Sequence, residues 1–223
     1  MIKAAIFDLD GTLADTIEDM GNAVNTVLSA HGFPEHSVTL YKQMVGNGFA
    51  MLMRRALPPD IASPADGNEK LFKTLLADAV SEYSRRSLET TKPFPGIEEL
   101  LSVLSERNLL CAVLSNKPDE LTKHMVGSLF PKTPFVAVLG DRAHAPRKPD
   151  PSTALEIARL AGASPEEFAF IGDSGVDMKT GVASGMLPLG ASWGYRSIAE
   201  LKEGGAAGIL AKPSDFIAYL AKD

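Results

Sequence analysis

Apolar residues fall along this chain in two rhythms. Short unalternating runs stand at 4–7, 109–114, 135–139, 168–171 and 187–191. Each has the length of a strand, and the lack of alternation implies burial on both faces. From residue 97 onward the runs are separated by stretches in which apolar positions recur every three or four residues. Ile97, Leu100, Leu101 and Leu104 mark one helix, and the same spacing predicts helices at 120–129, 152–160, 176–183 and 198–202. An edge strand at 208–210 and a short helix from Ser214 complete the tail. Helices alternating with unalternating strands predict an α/β fold, a doubly wound parallel sheet covered on both faces.

The stretch after the first strand breaks this rhythm, because it offers no strand. Asp15, with Glu18 three residues on, reads as a helix N-cap. Ile17, Met20, Val24, Val27 and Leu28 then follow at helical spacing, and His31-Gly32-Phe33-Pro34 stops the helix. Shorter helices are expected at 37–44 and 49–56, separated by Val45-Gly46-Asn47-Gly48, with a loop over 61–68. Leu71, Phe72, Leu75, Leu76, Ala79, Val80 and Tyr83 form the stripe of a long helix. Lys92-Pro93-Phe94-Pro95-Gly96 reads as a linker. The expected organisation is therefore a core domain of residues 1–14 and 93–223, with a helical cap of residues 15–92 inserted after the first strand.

Composition narrows the class. The chain has 223 residues, 45% of them hydrophobic, enough for a sizeable core. Its net charge of −6 argues against a nucleic-acid partner, whose phosphates call for a basic face. No apolar run is long enough to span a membrane, and Asp8 and Asp10 interrupt any signal-like start. The single cysteine, Cys111, lies in an apolar run and reads as a buried hydrophobe, so a cytoplasmic location is expected. The four histidines show no metal-ligand spacing.

Chemistry enters at the strand ends. Asp8 and Asp10 follow the first strand in Phe7-Asp8-Leu9-Asp10-Gly11-Thr12-Leu13, where an extended backbone would turn both carboxylates to one side. Two carboxylates about 4 Å apart repel by roughly 4 kcal/mol at an effective dielectric near 20. Such a pair calls for a cation or a proton-transfer task. Ser115-Asn116-Lys117 follow the second core strand, Arg147-Lys148-Pro149 the third, and Gly172-Asp173-Ser174-Gly175-Val176-Asp177 the fourth. Open parallel sheets bind ligands outside the carboxyl ends of their strands, so all four clusters are expected to converge. Asp8, Asp10, Asp173 and Asp177 set against Lys148 leave an excess of three negative charges. Hard carboxylate oxygens select Mg²⁺ to offset it. Carboxylates, a cation, a hydroxyl and a lysine around a phosphate describe phosphoryl transfer. A phospho-accepting receiver-like signalling domain uses a similar set. There, however, the acidic pair comes first and the acceptor aspartate follows the third strand, and no long helical insert is present.

These residues resemble the signature motifs of the haloacid dehalogenase superfamily: Asp8-x-Asp10, Ser115, Lys148 and Gly172-Asp173-Ser174-x-x-Asp177. The likeness spans the whole chain. Val45-Gly46-Asn47-Gly48, Ser115-Asn116-Lys117-Pro118 and Trp193-Gly194-Tyr195 resemble, more narrowly, the phosphoglycolate phosphatase branch. The resemblance implies a Rossmann-like core with a substrate-choosing cap. It implies that Asp8 is the nucleophile and Asp10 the acid and base. It implies Mg²⁺ held by Asp8, the Asp10 main-chain carbonyl and Asp173, with Asp177 in support. Ser115 and the Asn116 amide would hold the phosphoryl oxygens, with Lys148 neutralising both nucleophile and phosphate. Gly46, Asn47 and Gly48 would approach the substrate, a small phosphorylated metabolite with 2-phosphoglycolate leading, and Arg54 and Arg55 could lend it positive charge. A sugar-phosphate mutase, or a phosphatase for another metabolite, shares the same architecture. The expected assembly is a monomer or homodimer.

Overall fold

The computed structural model describes residues 1–45, 48–63 and 67–220. Contacts divide the chain into two compact units, one formed by residues 1–15 with 93–223 and the other by residues 16–92.

The first unit begins with β1 (Ala4–Phe7) and the very short β2 (Ala14–Asp15). The second contains α1 (Ile17–Ala30), α2 (Val38–Met44), α3 (Phe49–Ala56), α4 (Pro59–Ala62) and α5 (Glu69–Arg86). After β3 (Lys92–Pro93) come α6 (Ile97–Glu106), β4 (Leu110–Pro118), α7 (Asp119–Leu129), β5 (Phe135–Asp141) and α8 (Ser152–Ala161). They are followed by β6 (Phe168–Gly172), α9 (Gly175–Ser184), β7 (Leu187–Ala191), α10 (Ile198–Glu203) and β8 (Gly208–Leu210).

Six strands form one parallel sheet in the order β5-β4-β1-β6-β7-β8. The chain winds outward from β1 to one side through β4 and β5, and to the other through β6, β7 and β8. The topological switch point therefore lies at β1. Every residue of β1 is at most 1% exposed, so helices cover both faces of the centre. Ala4 and Ile6 pack with Phe168, Phe170, Ala154 and Ile157 on one face. The Phe7 ring meets Phe216 edge-on at 6.4 Å. Burial pushes the Cys111 thiol up to about 12, in keeping with a packing role.

Within the helical unit, Phe49 stacks on Tyr83 at 5.3 Å, with Leu52, Met53 and Leu75 buried. The Asp19 carboxylate is 1% exposed. It accepts from the backbone amides of Thr90 and Thr91 and from both hydroxyls, at 2.6–3.1 Å. The first turn of α1 is thereby tied to the segment that leaves the unit.

Several local expectations are corrected. Asp15 does not cap α1; Thr16 precedes the helix without a side-chain cap bond, and the Asp15 carboxylate accepts from the Tyr195 hydroxyl at 2.9 Å. A single turn, α4, occupies part of the loop expected at 61–68, started by Pro59 at a position where a missing N–H costs nothing. β4 runs through Pro118, so Ser115 and Lys117 lie within a strand rather than after it. The tail coils as a 3-10 helix over Pro213–Tyr219. Among the described residues no helix is long and apolar enough to cross a membrane.

Candidate active site

Asp8 follows β1 directly, and its amide continues the sheet by donating to the Ile171 carbonyl at 2.9 Å. The backbone then turns, with the Leu9 carbonyl accepting from the amides of Thr12, Leu13 and Ala14. Gly11 takes φ +83° in this turn, and a Cβ there would stand 2.3 Å from Asp173 Oδ2. Glycine is thus required twice, for its backbone conformation and for the approach of a carboxylate.

Asp173 follows β6, the strand paired beside β1, and Asp177 lies in the first turn of α9. Ser174 caps α9. Its hydroxyl and amide donate to Asp177 Oδ2 at 2.6 and 3.1 Å, and the Asp177 amide returns a bond to Ser174 Oγ. One local motif therefore both starts the helix and fixes an acidic group of the site.

Carboxylate oxygens of Asp8, Asp173 and Asp177 lie within 4.8 Å of one another, all three buried. Lys148 Nζ stands 2.9 Å from Asp8 Oδ1 and 2.6 Å from Asp177 Oδ1. The Leu9 amide also donates to Asp8 Oδ1, at 2.7 Å. Asp173 Oδ2 accepts from the Tyr195 amide at 2.7 Å. Ser115 is buried at the carboxyl end of β4, on the other side of β1, and its Oγ accepts from the Lys117 amide at 3.2 Å.

The carboxyl group of Asp10 is not part of the buried cluster. It pairs with Lys117, whose ammonium lies 2.9 Å from Asp10 Oδ1 with a side chain 2% exposed. The expected extended Asp-x-Asp backbone is replaced by a turn, and the two carboxylates find different lysines. Counting Lys117 brings the excess at the site to two negative charges, the charge of one divalent ion. An all-oxygen, buried, doubly negative set fits a hard cation such as Mg²⁺.

Three contacts made by residues already singled out come from packing alone. The Asn116 side chain donates to the Lys148 carbonyl at 3.1 Å and accepts from its amide at 2.9 Å, which holds the loop carrying Lys148. Trp193 Nε1 donates to the Thr12 carbonyl at 3.0 Å. Gly194 lies so close to Asp173 that a Cβ would meet the Asp173 Cβ at 2.2 Å. Trp193-Gly194-Tyr195 is thus a wall of the acidic site. The triplet stands out in the sequence, but its contact with Asp173 is settled only by packing.

In the helical unit, Gly46 and Asn47 lie outside the described residues. Val45 ends α2, and Gly48 precedes α3 with φ +86°, ψ 167°, a conformation restricted to glycine. Arg54 and Arg55 are both engaged within this unit. Arg54 donates to the Ala62 carbonyl at 2.7 Å, pairs with Glu69 at 3.0 Å and lies 3.6 Å over the Phe72 ring. Arg55 donates to the Met44 carbonyl at 2.5 Å, which satisfies the end of α2.

Burial dominates the electrostatics. It raises Asp8 from an ordinary 3.8 to about 7, with Lys148 pulling down and Asp177 and Asp10 pushing further up. Burial likewise holds Asp173 well above its ordinary value, aided by Asp177 and Asp8. Burial alone would lower Lys148, but Asp177 and Asp8 outweigh it and hold the ammonium above its usual range. The cation-free protein therefore retains protons on Asp8 that its unfolded chain would release between about pH 4 and pH 7. A group bound more tightly to protons when folded loses stabilising effect as pH rises through that window. Without divalent ions, stability should fall from pH 5.5 to pH 8. Mg²⁺ should raise Tm more at pH 8, where no proton need be displaced. Thermal melts with EDTA and with Mg²⁺ at the two pH values check this; an equal gain at both would detach the cation from these carboxylates.

Residues 5–191 match the haloacid dehalogenase-like hydrolase family. The phosphoglycolate phosphatase of Pseudomonas putida is 32% identical over 86% of this chain and 70% of its own length. That of Chromobacterium violaceum is 30% identical over 90% of this chain and 89% of its own. A crystal structure from Lactobacillus delbrueckii subsp. bulgaricus superposes with a TM-score of 0.91 at 30% identity, covering 99% of each chain.

Proposed function

The chain belongs to the haloacid dehalogenase-like hydrolase family, and we propose that it is a phosphatase cleaving a small phosphate monoester through a phosphorylated Asp8. The observation that carries this reading is the Asp8 carboxylate itself. It is buried, held by Lys148 and the Leu9 amide, and clustered with two further acids that fit one divalent cation.

The steps follow from the side chains. An Asp8 oxygen attacks phosphorus while the bond to the ester oxygen breaks. Asp10, entering this step protonated, gives its proton to that oxygen, and the alcohol leaves. Water then attacks the phosphorus of phospho-Asp8, Asp10 takes the water proton, and the Asp8–phosphorus bond breaks to release phosphate. Ser115 and the Asn116 amide orient the phosphoryl oxygens, while Lys148 offsets charge on Asp8 and phosphate. Asp8, Asp173 and the Asp10 carbonyl would hold Mg²⁺, with Asp177 in support, and the ion would supply charge neutralisation at the phosphoryl group. Both Asp177 oxygens already accept bonds from Lys148 and Ser174, which suits a supporting position.

With the core residues committed to chemistry, substrate choice falls to the helical unit acting as a cap, through residues 45–48. The curated relatives above support 2-phosphoglycolate as substrate, with glycolate and phosphate as products. A small metabolite in the cytoplasm fits the acidic, single-cysteine chain. A panel of phosphorylated metabolites with Mg²⁺, compared by kcat/KM, tests the assignment. 2-Phosphoglycolate should rank first, at least tenfold above hexose phosphates and nucleotides. A hexose phosphate in first place would remove the substrate and leave the phosphatase. No turnover of any phosphate, the aryl ester 4-nitrophenyl phosphate included, would remove both.

A further inference from the structure

Lys117 is the one residue of Ser115-Asn116-Lys117 to which the reaction above gives no task. It lies on β4 two residues beyond Ser115, and β4 pairs with β1 in register through Phe7 and Val113. The strand end is tightly held. The Lys117 amide donates to Ser115 Oγ at 3.2 Å, and its carbonyl accepts from Thr122 Oγ1 at 3.2 Å. From this fixed base the side chain runs buried to Asp10 Oδ1. Lys117 is 2% exposed and Asp10 17%, and an ion pair this far removed from water is a poor source of net stability, because desolvation offsets much of the attraction. A pair retained under those terms, between two adjacent strand ends of one site, calls for a reason other than stability.

We propose that Lys117 is a positioning residue for Asp10. Its ammonium anchors one carboxyl oxygen of a side chain that stands on a turn rather than on a strand. General acid–base help depends on placing the proton within hydrogen-bond reach of the reacting oxygen, and loss of about 1 Å of placement can cost on the order of 10²-fold. Lys148 cannot serve here, since its ammonium is committed to Asp8 and Asp177. The two lysines thus divide three of the four carboxylates, Asp8 and Asp177 going to Lys148 and Asp10 to Lys117. The inference rests on the assignment of Asp10 as acid and base.

The test separates this from a structural role by leaving group. An alkyl ester needs its leaving oxygen protonated, whereas an aryl ester hardly does. Lys117→Met should slow kcat for 2-phosphoglycolate, or for whichever alkyl phosphate outranks it in the panel, by tenfold or more. For 4-nitrophenyl phosphate the burst of phenol, which reads the first step alone, should slow by less than about threefold, while the turnover that follows it, which needs Asp10 as base, should fall. In an Asp10→Asn background the same substitution should add nothing, because its effect passes through Asp10. That double variant also removes both charges together, so it tests the idea even if Lys117→Met alone folds poorly. A burst on the aryl ester slowed as much as turnover of the alkyl ester, a full further loss in the Asp10→Asn background, or a gain in rate would each overturn the positioning role. If Asp10→Asn were damaged on the alkyl ester while Lys117→Met was not, only the role of Lys117 would fall. If Asp10→Asn left alkyl turnover intact, the acid–base assignment and this inference would fall together.

Discussion

Asp8→Asn should lose turnover by a factor on the order of 10⁴ or more while keeping a folded chain. The amide has the shape of the carboxyl group but cannot form the phosphorylated side chain. Folding should survive for a reason specific to this site. Burial disfavours the ionised Asp8 so strongly that its carboxyl group sits at about 7. A neutral amide escapes that penalty, and Lys148 keeps its 2.6 Å contact with Asp177. In EDTA at pH 8, the variant should melt no lower than the wild type. Phosphate release and a thermal melt on the same preparation check both halves. A variant that kept a substantial fraction of wild-type rate would require another nucleophile.

Asp10→Asn should lower kcat on alkyl phosphates by roughly 10²–10⁴, the usual scale of positioned acid–base help. Both half-reactions suffer, since the leaving oxygen loses its proton donor and the water loses its base. On an activated aryl ester the first step is spared and the second is not. Phosphorylated protein should then accumulate and appear as a burst of phenol ahead of slow turnover. Rapid-mixing kinetics with 4-nitrophenyl phosphate read this directly. Unchanged alkyl turnover would take the acid–base task away from Asp10.

Much of this architecture is legible along the chain because its determinants are local. Unalternating runs such as Ala4-Ala5-Ile6-Phe7 identify strands buried on both faces, and the observed β1 spans those residues. Asp8, Ser115 and Asp173 stand out as polar residues where apolar runs stop, and Lys148 as a charge a short loop beyond one. What escaped is what only packing decides. Lys117 reads as an ordinary strand-end charge until β4 is laid beside β1 and its ammonium meets Asp10. Arg54 and Arg55 read as available cations, yet helix ends and a neighbouring ring engage both. Asp15 followed by Glu18 has the spacing of a cap, but Tyr195, far along the chain, takes the Asp15 carboxylate instead. Local pattern cannot weigh a partner that tertiary structure brings in later.

The Asp19 clamp has a consequence for how an interrupted domain can assemble. In the core unit, the Phe94 amide donates to the Leu13 carbonyl at 3.0 Å, although residues 16–92 lie between them in sequence. Closing a flexible loop of roughly 80 residues costs about 4 kcal/mol in chain entropy, beyond a constant. Asp19 holds the exit of the helical unit, at Thr90 and Thr91, against its entrance. Once that clamp forms, the two halves of the core are joined by a tether of only a few residues, and about 2–3 kcal/mol of the closure entropy has already been spent. A long interruption in the chain then behaves, for the sheet that must close across it, as a short turn.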